Sequence, residues 1–114
     1  MTAATVPGTP SSTGGAPWSF RVVTHDPLCV AIGGEIDTLT GPLVLAELLD
    51  ALEASPGPVR ILLDQVAFID SQGLTVLISA HRAHPDRPMT LAEARPNVRR
   101  LIEITGLDQL FTVD

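Results

Sequence analysis

Residues 68–74 read Phe-Ile-Asp-Ser-Gln-Gly-Leu, and this stretch joins a predicted strand to a predicted helix. An apolar run at 59–63 comes before it, and an amphipathic run at 74–80 follows it. The junction is therefore the N-terminus of a helix, where free backbone N–H groups and the positive end of the helix dipole favour oxygen and negative charge. A serine at this position can be presented to a partner and can carry a phosphate.

The start of this helix has two possible arrangements. If Ser71 is the N-cap, its hydroxyl accepts a hydrogen bond from the N–H of Gly73 or Leu74 and is engaged. If Asp70 is the N-cap, its carboxylate takes that role and Ser71 becomes the first helical residue with a free hydroxyl. Asp and Ser cap about equally well, so local energetics leave both open. A phosphoacceptor requires the second arrangement, and we predict that one.

Gly73 is the second unusual residue of the junction, because glycine inside a helix costs about 1 kcal/mol relative to alanine. One interpretation is that another backbone approaches closely at this point. The other is that the first helical turn is merely loose.

Composition and charge restrict the classes of protein to which the chain can belong. Its 114 residues suit one domain, and 45% hydrophobic residues are enough for a core. The net charge of −6 argues against nucleic-acid binding. No membrane span or signal peptide is visible, and the single cysteine cannot form an internal disulfide, so we expect a soluble cytoplasmic protein. Residues 1–17, rich in Thr, Ser, Pro, Gly and Ala, are predicted to be a disordered tail, and residues 18–114 one domain.

Hydrophobic periodicity predicts the order β-β-α-β-α-β-α-β. The predicted strands are 18–24, 28–36, 59–63, 89–94 and 110–113, and the predicted helices are 41–53, 71–84 and 96–105. Thr40 is the expected N-cap of the first helix, and Gly106 the expected glycine just after the third. Strand–helix–strand units favour parallel crossovers. We therefore predict an α/β fold with a mixed, mostly parallel sheet of four to five strands, three helices, and an antiparallel first strand at the edge.

Three segments resemble the STAS domain family, and in particular its anti-sigma factor antagonists. The first is the segment 68–78, Phe-Ile-Asp-Ser-Gln-Gly-Leu-Thr-Val-Leu-Ile. The second is Gly-Glu-Ile-Asp at 34–37, and the third combines Pro96, Val98, Arg100 and Leu101 with Thr-Gly-Leu at 105–107. The resemblance covers roughly residues 18–113. It departs from the family pattern at Gln72, where a small hydroxyl residue is usual, and at Thr75, where a second glycine is usual.

The resemblance implies a protein that switches partners and is not an enzyme. In this family the unmodified antagonist binds an anti-sigma factor that is also a serine kinase of the GHKL type, and so frees a sigma factor. The kinase uses its bound ATP to phosphorylate the serine that follows the motif aspartate, and the modified antagonist then dissociates. In this chain that serine corresponds to Ser71. Independently of the resemblance, we expect no cofactor in this chain, because no glycine-rich phosphate loop is present, and no direct contact with nucleic acid or membrane. We expect a monomer or weak dimer. The residues expected on the partner-binding surface are Asp37, Thr38, Asp70, Gln72, Gly73 and Leu74.

Other functions compete with this interpretation. The main alternative is a STAS scaffolding module in a lipid-transport or stress-sensing complex, where the same surface binds a partner without being phosphorylated. A weaker one is a small-molecule module that uses the cleft beside Asp37 and Ser71. His81 and His84, three residues apart on one helix, could form half a metal site, but no third ligand is evident. Ser71 lacks the Gly-x-Ser-x-Gly context of a hydrolase nucleophile.

Overall fold

The computed structural model describes residues 18–114, and the predicted tail at 1–17 lies outside them. Its elements, in chain order, are β1 (Trp18–His25), β2 (Leu28–Ile36), α1 (Gly41–Ala54), β3 (Val59–Ile69), α2 (Ser71–Ala83), β4 (Met89–Ala92), α3 (Pro96–Thr105), a 3₁₀ turn (Leu107–Gln109) and β5 (Thr112–Val113).

One five-stranded sheet runs in the spatial order β1-β2-β3-β4-β5. Strand β1 is antiparallel to β2, and the pairs β2–β3, β3–β4 and β4–β5 are parallel. Each parallel pair is joined through a helical connection, as parallel neighbours require. The predicted fold class, element order and antiparallel edge strand are confirmed.

The core lies against one face of the sheet. Alternate residues of the strands, such as Val30 and Ile32 of β2 and Ile61 of β3, are almost completely buried. All three helices add side chains to the same cluster, among them Leu48, Leu52, Leu77, Val98 and Ile102. The helices therefore cover the sheet on the side of this cluster.

Strand β3 is longer than predicted, because it continues from residue 63 to Ile69. Its register against β2 shifts twice, so that β3 advances one residue more than β2 at each shift. The buried side chains then recur every third residue, at Leu63, Val66 and Ile69. A prediction based on alternation with period two ends too early at such bulges. The extension is what carries the chain to the start of α2.

The extended part of β3 has no strand partner on the β4 side, because the pairing of β3 with β4 ends at Leu62 and Ala92. Two side chains bind its backbone beyond that point. Arg95 Nε donates to the carbonyl of Asp64 at 2.9 Å, and Asn97 Nδ2 donates to the carbonyl of Ala67 at 3.3 Å. The N-terminal part of α3 thus replaces a neighbouring strand.

Two predicted strand boundaries need correction, and the predicted N-cap of α1 lacks its expected side-chain hydrogen bond. Thr40 occupies the N-cap position of α1, but its side chain makes no capping hydrogen bond. Strand β4 ends at Ala92, because Glu93 has a positive φ of 61° and turns the chain out of the sheet. Strand β5 begins only at Thr112, after the 3₁₀ turn. Gly106, by contrast, ends α3 with a φ of 79°, as predicted.

No helix in residues 18–114 is long and apolar enough to cross a lipid bilayer.

Candidate functional site at the carboxyl edge of the sheet

Two neighbouring parallel strands, β2 and β3, end side by side. Ile36 and Ile69, their last residues, are register partners. The loops that follow therefore leave the same edge of the sheet. Asp37 begins one of them and Asp70 the other, so the topology brings together two acidic residues that are 33 positions apart in the sequence.

Asp70 is the N-cap of α2, and its Oδ1 accepts a hydrogen bond of 2.8 Å from the N–H of Gly73. Ser71 is the first helical residue and its side chain is exposed. Its hydroxyl has no hydrogen-bond partner within the described part of the chain. The predicted arrangement of the helix start is confirmed, because the carboxylate takes the capping role and leaves the serine hydroxyl available.

Gly73 touches the end of strand β2. A Cβ atom at this position would lie 2.2 Å from the carbonyl oxygen of Ile36 and 2.7 Å from Cγ1 of Ile69. The N–H of Asp70 also donates to the Ile36 carbonyl, at 3.3 Å. Of the two interpretations of Gly73, close approach by another backbone is therefore the right one, and that backbone belongs to the same chain.

The loop between β2 and α1 is closed by its own side chains. Asp37 Oδ1 accepts hydrogen bonds from the N–H of Leu39 at 2.9 Å and of Thr40 at 3.1 Å. The Thr40 hydroxyl donates to the carbonyl of Glu35 at 2.7 Å and accepts from the N–H of Asp37 at 2.9 Å. The expected capping hydroxyl of Thr40 is therefore used inside the loop, which it holds against the end of the strand.

These bonds also set the charge of Asp37. The N–H of Thr40, followed by that of Leu39, stabilises the carboxylate and lowers the pKa of Asp37 below its ordinary value of 3.8, although partial burial acts in the opposite direction. Asp37 is consequently ionised at neutral pH and contributes a fixed negative charge to this edge of the sheet.

A groove of about 290 Å³ lies between the N-terminal halves of α1 and α2. Its polar lining includes Asp37, Thr38 and Gln72, and its apolar lining includes Pro42, Leu45 and Val76. Gly41 allows the helices to approach, because a Cβ there would lie 3.2 Å from a methyl group of Val76. Gln72, the residue after Ser71, lines the groove, so a partner that covers the first turn of α2 also meets an apolar recess.

The structure places the predicted site residues in two layers. Asp37, Thr38, Asp70, Ser71 and Gln72 lie at the surface or are half-buried, and they surround the groove and the start of α2. Gly73 and Leu74 are buried beneath them, Leu74 with 2% of its surface exposed. The last two therefore shape this surface from below.

Exposed apolar side chains near the same edge were missed by the sequence reasoning. Leu39, in the β2–α1 loop, is 83% exposed, and Leu43, in the first turn of α1, is 51% exposed. Phe68, three residues before Ser71, is 49% exposed. The sequence held one signal for Leu39. It is an apolar residue within the polar turn Asp-Thr-Leu-Thr at 37–40, and a residue in such a turn is expected to be exposed. Such side chains are typical of surfaces that bind other proteins.

The possible half metal site at His81 and His84 gains no third ligand from the fold. Within residues 18–114, no group of three His, Cys, Asp or Glu side chains is arranged to hold a metal ion. His81 instead packs its ring against that of Phe111, with centroids 5.6 Å apart.

Comparison with known proteins links this architecture to one family of regulators. A family model described as the STAS domain matches residues 20–114. An anti-sigma-B factor antagonist of Listeria monocytogenes is 34% identical over 91 residues, which are 77% of this chain and 79% of that protein.

Solved structures show the same fold. The crystal structure of an anti-sigma factor antagonist from Mycobacterium paratuberculosis has a TM-score of 0.76 and 30% identity, and the match covers 84% of each chain. SpoIIAA in its unphosphorylated form has a TM-score of 0.65 and 20% identity, over 85% of this chain and 87% of that one. The phosphorylated form of SpoIIAA, from Bacillus, has a TM-score of 0.60 and 19% identity, over 85% and 90%. At these identities the likeness to SpoIIAA concerns the fold alone.

Proposed function

This chain belongs to the STAS domain family, and we propose that it is a cytoplasmic anti-sigma factor antagonist whose partner binding is switched off by phosphorylation of Ser71. In this proposal the partner is an anti-sigma factor that is also a serine kinase of the GHKL type. Binding of the unmodified chain occupies the anti-sigma factor and frees a sigma factor. The partner supplies the ATP and the catalytic groups, and this chain is the substrate.

The observation that carries the proposal is the exposed hydroxyl of Ser71 at the first position of α2. The Asp70 carboxylate bonds to the N–H of Gly73, so the capping role does not use the serine. A kinase can approach an exposed residue of a first helical turn without unfolding the helix. The names of the Listeria and Mycobacterium relatives support the same regulatory role.

The charge of a phosphate on Ser71 explains why phosphorylation should weaken partner binding. A phosphate on Ser71 adds about −1.5 to −2 charges. The N-terminus of α2 stabilises that charge, but the ionised Asp37 at the neighbouring loop opposes it. A partner surface fitted to a neutral hydroxyl would have to bury the phosphate, which is costly without compensating cations. The modified chain should therefore dissociate.

The exposed apolar residues support a protein partner. Leu39, Leu43 and Phe68 provide apolar area at the same edge as Ser71. The central parts of protein interfaces are depleted in charge and enriched in apolar and aromatic residues, and these side chains fit that composition. The groove between α1 and α2 would accept a side chain of the partner.

The test is to incubate the purified chain with anti-sigma factor kinases from its own cells and ATP, and to measure intact mass and affinity. Wild type should gain one phosphate at Ser71 and then bind the kinase at least about 10-fold more weakly, which corresponds to about 1.4 kcal/mol. Ser71→Ala should bind but stay unmodified, and Ser71→Asp should bind weakly.

Ser79→Ala is the matched control, since Ser79 lies on the same helix and lines the same groove. This variant should be phosphorylated like the wild type. A wild-type chain that binds a partner but never carries phosphate on Ser71 would contradict the switch and favour the scaffolding alternative. Tight binding by Ser71→Asp would contradict the electrostatic argument.

A further inference from the structure

Gln72 belongs both to the exposed start of α2 and to the groove between α1 and α2. It follows Ser71 in the first turn of α2, and both residues are exposed. It also lines the groove, together with Thr38 of the β2–α1 loop and Leu45 of α1. A protein that covers the first turn of α2 and reaches into the groove must therefore contact Gln72.

The side-chain amide of Gln72 keeps its hydrogen-bonding groups available for a partner. Other residues make the side-chain hydrogen bonds at the start of α2. The Asp70 carboxylate accepts from the N–H of Gly73 at 2.8 Å, and the Thr75 hydroxyl donates to the Ser71 carbonyl at 3.0 Å. Within the part of the chain that the structure describes, the Gln72 amide makes no such bond. An amide carries two donor hydrogens and an acceptor oxygen, so an approaching protein meets both kinds of group here.

The neighbouring side chains are less able to distinguish one partner from another. The carboxylates of Asp37 and Asp70 already accept N–H groups of their own backbone through Oδ1. The exposed Leu39 and Leu43 offer apolar contact, which is not directional, so many apolar surfaces satisfy it. The amide of Gln72 differs, because a polar group that is buried at an interface without a hydrogen-bond partner costs free energy. A partner that lacks the matching groups is therefore rejected.

From this position we propose that Gln72 is the specificity-determining residue that selects which anti-sigma factor kinase binds, an inference that rests on the function proposed above. The kinase that fits presents a hydrogen-bond donor and an acceptor where it covers the first turn of α2, as an Asn or Gln side chain or an exposed peptide group does. A kinase with an apolar surface at that place leaves the amide buried and unpaired, and it binds weakly. Gln72 thus selects the partner, while Ser71 controls when that partner is released.

The experiment measures, by titration calorimetry, the affinity of the full chain for two purified kinases. One is the kinase found to modify Ser71, and the other is an anti-sigma factor kinase from the same cells that binds wild type measurably but more weakly. Gln72→Met keeps an unbranched, flexible side chain but removes the amide. It should bind the first kinase at least about 10-fold more weakly, and the second kinase as well as wild type does or better. Gln72→Ala should change the ratio of the two affinities in the same direction. Gln109→Met is the matched control, since Gln109 is exposed on the 3₁₀ turn, and it should change neither affinity.

The outcomes separate this inference from the proposed function. If Gln72→Met and Gln72→Ala bind the first kinase as tightly as wild type does, Gln72 is not read by the partner and the inference is wrong. If they lose affinity for both kinases equally, Gln72 is a contact that does not select, and the inference is again wrong. In either case phosphorylation of Ser71 in wild type still supports the switch. If wild type binds the kinase but gains no phosphate on Ser71, the switch fails, while a changed affinity ratio would still support selection by Gln72.

Discussion

The α-carbon of Gly73 lies so close to the carbonyl of Ile36 that a Cβ atom would be 2.2 Å from that oxygen. This contact joins the first turn of α2 to the last residue of β2. Both groups belong to backbone at element ends, so neither can rotate away as a side chain could. The position of Ser71 relative to the Asp37 loop therefore depends on the absence of one methyl group.

Gly73→Ala should destabilise the fold. Alanine has the better helix propensity, by about 1 kcal/mol, but its methyl group cannot be placed without moving a backbone, and overpacking of this kind costs about 1–3 kcal/mol or more. We expect a net loss of about 1–2 kcal/mol in the free energy of unfolding, measured by urea denaturation. Gln72→Ala, at the exposed neighbouring position, should change it by less than about 0.5 kcal/mol. Equal stability of Gly73→Ala and wild type would contradict the close contact.

Asp70→Ala should weaken the start of α2. The substitution leaves the N–H of Gly73 without its carboxylate partner, and loss of an N-cap costs about 0.5–2 kcal/mol. Asp70→Asn is the matched control, because asparagine caps about as well as aspartate, and it should retain most of the stability. Thermal or chemical denaturation of the two variants measures the difference. If Asn were as destabilising as Ala, the charge and not the capping bond would be the important feature.

Asp37 should make stability depend on pH at the acidic end. Its folded-state pKa lies below 3.8 because the N–H groups of Thr40 and Leu39 bind the carboxylate. A lowered pKa contributes stability that is fully present above the unfolded value and is lost as pH falls through the folded value. Wild type should therefore exceed Asp37→Asn in stability near neutral pH, and the difference should shrink as pH falls below 3.8. Denaturation midpoints at a series of pH values check this, and a constant difference would contradict it.

Arg87 stabilises the end of α1, far from the site. Its guanidinium donates to the carbonyls of Leu52, Ser55 and Gly57, the last at 2.9 Å. These carbonyls lie at and just after the C-terminus of the helix, where a cation is favoured. Arg87→Ala should lower the free energy of unfolding by about 2 kcal/mol, since hydrogen bonds to charged groups contribute about 1.5–3 kcal/mol. The exposed Arg82→Ala is the control, and equal effects of the two substitutions would contradict this role.

Hydrophobic periodicity was sufficient to predict the order of strands and helices, because most of these elements bury side chains at a regular spacing along the sequence. The N-cap of α2 needed a different argument, because capping energetics left Asp70 and Ser71 both open, and Asp70 was chosen because a phosphoacceptor requires a free serine hydroxyl. Periodicity ended β3 too early, because the bulges change the spacing of buried residues from two to three between Leu63 and Ile69. A prediction that assumes a constant spacing of buried residues along a strand cannot anticipate a bulge.

Contacts between distant parts of the chain were the other features that sequence reasoning missed. Arg87 binds carbonyls that are 30 to 35 positions away, and no local pattern indicates them. The hydroxyl of Thr40 was expected to cap α1, but the Glu35 carbonyl at the end of β2 is the acceptor that the fold provides. Gly73 was recognised as unusual, yet its partner, Ile36, became evident only once β2 and β3 were paired.

Leu39 should contribute to partner binding without contributing to stability. It is 83% exposed, so Leu39→Ser should change the free energy of unfolding by less than about 0.5 kcal/mol. Burial of a leucine at an interface contributes about 1.5–3 kcal/mol, so affinity for the proposed kinase should fall at least about 10-fold. Ile104→Ser is the matched control, because Ile104 is 69% exposed but lies near the end of α3, toward the opposite edge of the sheet. Titration calorimetry should separate the two variants, and an equal loss of affinity in both would mean that Leu39 is not part of the binding surface.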